Sequence, residues 1–159
     1  MTHEKSNKSD FNKLMDKDKT PDVNQNYIIL GFFEFDFFPD VFTKELGLEP
    51  FEKGLKGEKY FVGSKKQHQK VHEYNMWTHQ VKSYSNDHID DLIAKYIDEI
   101  IKPRIDLIKS LTKSCNVQLR IVQYYYNGYN PTIYIKREYS KILAEINSSI
   151  DIDLYCFGD

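Results

Sequence analysis

The sequence predicts an α+β domain of ferredoxin-like type, a two-layer sandwich in the order β-α-β-β-α-β-α-β. Its helices would lie on one face of a mixed four- to five-stranded sheet. Three stretches carry this expectation. Every odd position from Tyr27 to Phe37 is apolar or Gly, the two-residue period of a strand. Ile89, Leu92, Ile93, Tyr96, Ile97, Ile100 and Ile101 return at three- and four-residue spacing and line one broad helix face. Ile150 to Phe157 alternates apolar residues with Asp151 and Asp153.

Composition narrows the function classes. A chain of 159 residues fits one domain and buries roughly 70% of the surface exposed when unfolded. Aromatic content is 14%, with 12 Tyr and 10 Phe, so large rings fill the interior and part of the surface. A formal charge of -2 excludes a general polyanion binder, which would be strongly basic. The charge is unevenly spread: Glu34, Asp36, Asp40, Glu45 and Glu49 face Lys44 alone between residues 27 and 50. In residues 51 to 82 the balance reverses, with seven Lys against Glu52, Glu58 and Glu73. Cys115 and Cys156 read as reduced, buried thiols of a cytoplasmic protein. No apolar run approaches the ~20 residues that cross a bilayer, so no membrane association is expected.

In chain order, residues 1 to 25 pair five basic with five acidic side chains and offer Phe11, Leu14, Met15 and Val23 for burial. This predicts a mobile tail with one helical turn around Phe11 to Met15, ahead of a single domain over 26 to 159. In the first strand the odd residues form one continuous apolar stripe, while the even ones pass from Ile28, Leu30 and Phe32 to Glu34 and Asp36. Pro39 opens a short helix that buries Val41, Phe42 and Leu46 and stops at Gly47. A Gly- and Lys-rich loop follows, then a short strand at Tyr60 to Val62 and a polar connection to Lys70. Glu73 to Lys82 alternates as a strand with Trp77 toward the core. Asn86 and Asp87 cap the main helix, and Pro103 breaks it near Ile101 because proline lacks an N–H and crowds the preceding turn. Asn116 to Tyr126 is a strand ended by Asn127-Gly128, and Tyr134 to Asn147 a helix with Ile135, Tyr139, Ile142, Leu143 and Ile146 inward. In the closing strand Ile150, Ile152, Leu154 and Cys156 are expected to face in, with the two Asp outward.

The Phe-rich first strand, Gly47-Leu48-Glu49-Pro50, a Lys-Gly pair at Lys53-Gly54 or Lys56-Gly57, Trp77, the long helix with Pro103 and the closing Ile152-Asp153-Leu154-Tyr155 together resemble the bacterial domain of unknown function DUF4279 over about residues 27 to 157. The resemblance implies a bacterial cytoplasmic α+β domain, similar to small immunity proteins that neutralise toxins. It brings no activity.

Glu34 and Asp36, two apart on one strand, project together beside Asp40; paired carboxylates can hold a cation or meet a basic partner, and otherwise mark a wet strand end. His68 and His72 would share a face if helical, but Gln69 stands where a zinc protease has its Glu, so they read as surface histidines, as does His79 nearby. Trp77 is a core anchor that near an open sheet edge could also meet a ligand. Tyr125 and Tyr129, in a run with Tyr124, Tyr126 and Tyr134, suit a protein interface better than base stacking, since few cations accompany them. Nucleophile and phosphate-loop motifs are missing, and no cofactor or metal is called for. The expectation is a non-enzymatic protein-binding module that uses Glu34, Asp36, Asp40, Trp77, Tyr125 and Tyr129, with an immunity-type inhibitor as its concrete form and a homodimer as a further arrangement. The alternatives are a small-ligand binder or enzyme with a pocket near Trp77 and, more remotely, single-stranded RNA binding.

Overall fold

The computed structural model describes residues 23–63, 65–126 and 128–157. β1 (Gln25–Phe35) lies at the centre of a five-stranded mixed sheet ordered β2-β5-β1-β6-β7. It is antiparallel to β5 (Asn75–Tyr84) on one side and to β6 (Asn116–Tyr126) on the other. β2 (Glu52–Gly54) edges β5, and β7 (Ser148–Phe157) runs parallel to β6 at the opposite edge. β3 (Lys59–Val62) and β4 (His68–Val71) form a separate two-stranded arm. The expectation of an α+β chain around the aromatic strand holds. The short strand expected at Tyr60 to Val62 is present as β3, whereas its partner β4 falls partly in the stretch expected as a polar connection and its exposed sequence did not announce it. The expectations for residues 1 to 22 and for Asn127 lie outside the described residues; Asn24 and Gln25 are already buried at the entry to β1.

One core joins the sheet to the helices. From β1 it takes Ile28, Leu30, Phe32 and Phe35. From α1 (Asp40–Leu46), α2 (Ile89–Tyr96), α3 (Ile105–Leu111) and α4 (Arg137–Glu145) it takes Phe42, Leu46, Ile89, Ile93, Tyr96, Ile108, Tyr139 and Leu143. Phe32 stacks on Phe42 with ring centroids 4.4 Å apart, and both tilt against Trp77. Trp77 is fully buried, and its indole N–H donates to Thr43 Oγ1 at 2.9 Å. Gly47 ends α1 at φ 63°, its N–H reaching the Thr43 carbonyl, because a left-handed residue closes the helix without a Cβ clash.

The apolar stripe of β1 is not continuous. The β1–β5 register shifts between Phe33 and Phe35, where Glu34 takes φ 64°, so Phe35 turns to the helix side while Tyr27, Ile29, Gly31 and Phe33 stay on the other.

The main helix breaks as expected, through a π turn at Ile97–Ile101 and a 3₁₀ turn at Lys102–Arg104. Pro103 cannot donate to the carbonyl of Glu99, four residues back. Arg104 Nη1 donates to that carbonyl at 3.2 Å and to Ile100's at 3.1 Å, while its Nε reaches the carbonyl of Leu46 at the end of α1. The cap differs from expectation: His88 precedes α2 with no side-chain cap, and the Asp87 carboxylate instead accepts from Ser85 Oγ.

The closing strand also departs from its pattern. Ile150, Ile152 and Leu154 face the helix side but remain 42%, 45% and 44% exposed, because β7 lies at the sheet edge beyond the main helix layer. Asp151 and Asp153 are half-buried on the other face, drawn in by Arg120 of β6. Cys156 is exposed rather than buried. Cys115 is half-buried, which pushes its thiol up to about 11.

Candidate functional site

The face of the sheet away from the helices carries a cleft of about 720 Å³. Register builds its floor: Gly31 of β1 lies between Thr78 of β5 and Gln118 of β6, Phe33 lies opposite Met76, and Ile29 opposite Arg120. Because side chains alternate, these partners share one face. The Phe33 ring folds back over Gly31, where a Cβ would sit 2.5 Å from its outer carbons. Only glycine leaves that space.

The arm and its connections make the wall. Tyr60 of β3, Lys70 and Val71 of β4, then His72, Glu73 and Tyr74 line one side, with Phe51 and Glu52 beside β2. Tyr60 stacks on His72 at 4.2 Å, and the His72 ring lies against Gly54, 2.4 Å from where a Cβ would stand. Backbone bonds lock this junction: Gly57 N–H donates to the His72 carbonyl and His72 N–H to that of Glu58. Asn75 ties the Lys-Gly loop to β1, its Oδ1 accepting from Lys56 N–H at 2.8 Å while its Nδ2 donates to the carbonyls of Phe35 and Phe37.

A second depression of about 510 Å³ shares Glu73 and Tyr74 with the cleft and is otherwise lined by Glu34, Phe35, Asp36, Lys56 and Asn75. Thus Glu34 and Asp36 do border a common concavity, and Glu73 joins them. Glu34 Oε2 accepts from Asn116 Nδ2 at 2.6 Å. Asp40 stands apart, paired with Lys53. Among the described residues no three His, Cys, Asp or Glu side chains converge on a metal position.

The remaining sequence candidates lie elsewhere. Trp77 is sealed in the helix-side core, so a pocket beside it opens on the opposite face, through its neighbours Met76 and Thr78. Tyr125 and Tyr129 are half-buried with rings 6.3 Å apart, away from the cleft lining. His68 belongs to exposed β4 and shares no helix face with His72. His79 faces the helices; its Nδ1 lies 2.9 Å from the Tyr96 hydroxyl, and burial, then Arg104, hold its pKa below the ordinary value. Sequence reading missed Arg120, Lys70, Tyr60 and Phe51 as lining residues. Only the alternation of β6 could have placed Arg120 opposite Ile29.

The fold and site define an α+β sandwich with one helix-covered face and a cleft on the other. The chain belongs to the family described as domain of unknown function DUF4279, which matches residues 24–157. No curated protein and no solved structure matches it. No helix among the described residues is long and apolar enough to cross a membrane.

Proposed function

We propose that this chain is a non-enzymatic protein-binding module of the bacterial cytoplasm, whose cleft on the second sheet face receives a basic segment of a partner protein. The observation that carries the reading is that the cleft shares Glu73 and Tyr74 with a neighbouring depression bordered by Glu34 and Asp36. Around it Glu52 adds a further carboxylate, whereas Lys56 and Lys70 are the cations; Arg120 is neutralised by Asp151 and Asp153. Apolar Phe33, Phe51, Val71 and Met76 offer anchoring surface beside these charges. An immunity-type inhibitor, held to a cationic surface of a toxin, is the concrete form. The strand order β2-β5-β1-β6, with β1 between two antiparallel neighbours, supports a ferredoxin-like frame to which α4 and β7 are appended.

Changing Glu34 and Asp36 together to Ala tests the reading in a titration against the partner recovered on the full-length chain. Affinity falls at least ~10-fold if both carboxylates meet the partner, as desolvated charge pairs do. Unchanged affinity removes them from the interface.

A second reading is favoured by the size of the cleft, which lies within the ~300–1,000 Å³ of small-molecule sites. In that case a metabolite screen shifts the resonances of Met76 and Thr78 while leaving Trp77 fluorescence unmoved.

A further inference from the structure

We propose that the β3–β4 arm holds single-stranded nucleic acid, with a base on the ring of Phe61 and phosphates on Lys59, Lys65, Lys66 and Lys70. The formal charge of -2 conceals a segregation: from Lys59 to His72 the chain carries these four lysines and no Asp or Glu. All four are exposed, and no ion pair among the described residues engages them. A turn closed by the Lys66 N–H on the Gly63 carbonyl at 3.0 Å sets Lys65 and Lys66 at the tip. Register places Lys59, Phe61, Gln69 and Val71 on one face of the ribbon, with Phe61 directly across from Gln69. Phe61 is 57% exposed, and neither it nor Gln69 lines the cleft, whose wall takes Tyr60 and Lys70 from the other face.

Lysines alone would blunt the edges of a short ribbon against further pairing, but a bare aromatic ring among them works against that purpose. Cations around an open ring are what an unstacked base and its backbone need: the ring takes the face of the base, and the lysines take the phosphates. Gln69, across from the ring, can both donate to and accept from a base edge. A duplex keeps its bases stacked and leaves Phe61 without a partner. Two apolar side chains on this face, Phe61 and Val71, bury too little surface to hold a membrane. The site is separate from the floor of the cleft and stands whether or not the cleft receives a basic segment.

Fluorescence anisotropy of the full chain with a labelled oligouridylate of ~12 nucleotides tests this. Saturable binding is expected, with a log–log salt slope of about -2 to -3, as three or four neutralised phosphates give on a single strand. Phe61→Ala should weaken it at least ~5-fold at unchanged slope, since the change removes a stack and no charge. Lys65→Gln combined with Lys66→Gln should lower the slope by about 1.4. Glu34→Ala combined with Asp36→Ala should bind at least as tightly as the parent; a loss there would move the site to the cleft and overturn the proposal. No saturable binding, or parent-like affinity of the Phe61→Ala variant, overturns it as well. Equal affinity for polyglutamate of the same charge would mark the arm as a docking surface for an acidic protein, and tighter binding to vesicles of anionic lipid would mark it as a membrane contact; either result overturns the proposal.

Discussion

Arg120 of β6 donates through Nε to Asp153 Oδ2 of β7 at 2.7 Å, across the parallel strand pair that closes the sheet. Burial works against the guanidinium charge, but Asp153 and then Asp151 outweigh it, so the pKa of Arg120 lies above the ordinary arginine value. Replacing Arg120 by Met leaves two half-buried carboxylates unpaired, and we expect a loss of about 1–3 kcal/mol. Urea unfolding measures it; adding Asp153→Asn to the Arg120→Met variant should restore part of the loss.

His79 makes stability fall in acid. Its pKa is lowered in the fold by burial and by Arg104, so the unfolded chain binds the proton more readily. The contribution is fully present above the unfolded value near pH 6.5 and is lost as pH falls below it, with a slope of at most ~1.4 kcal/mol per pH unit. Urea midpoints of the parent and of His79→Gln between pH 7.5 and 5 should converge as pH falls. Parallel curves would free His79 of this role.

Arg104 satisfies the carbonyls that Pro103 and the irregular turns leave open, and it fastens them to α1. Arg104→Leu keeps much of the apolar stem and strips these donors, costing about 1–3 kcal/mol. Hydrogen exchange should quicken first in Ile97–Ile101 and at the end of α1, while β1 stays protected.

Gly31→Ala places a methyl group against the outer carbons of Phe33. Since the ring end can swing, the cost is about 1–3 kcal/mol rather than unfolding. The displaced ring enters the cleft, so partner affinity drops more than stability does. A variant that binds as the parent does would show that the floor of the cleft is not contacted.

Much of the frame was legible because two periodicities are strong. β1, α2 and β6 follow them, and Pro103 marks the break after α2 as Gly47 marks the end of α1. What escaped is set by tertiary partners. The face switch in β1 needs Glu34 at positive φ, a conformation glutamate rarely adopts and no local pattern signals. β4 pairs through its backbone alone, with every side chain exposed, so it carries no period. Asp151 and Asp153 turn out half-buried because Arg120 lies on the adjacent strand, a neighbour 31 or more residues away in sequence. Of the candidate residues, Glu34 and Asp36 reach the concave face, whereas Trp77 anchors the opposite side.

The most direct test of the binding face is a hydrogen-exchange footprint of the full-length chain with and without the protein it captures from its host. Slowed exchange should concentrate in β4 and the residues from His72 to Asn75, beside the Glu34–Asp36 bend. Protection confined to α2, α3 and α4, with the arm unchanged, would contradict the account.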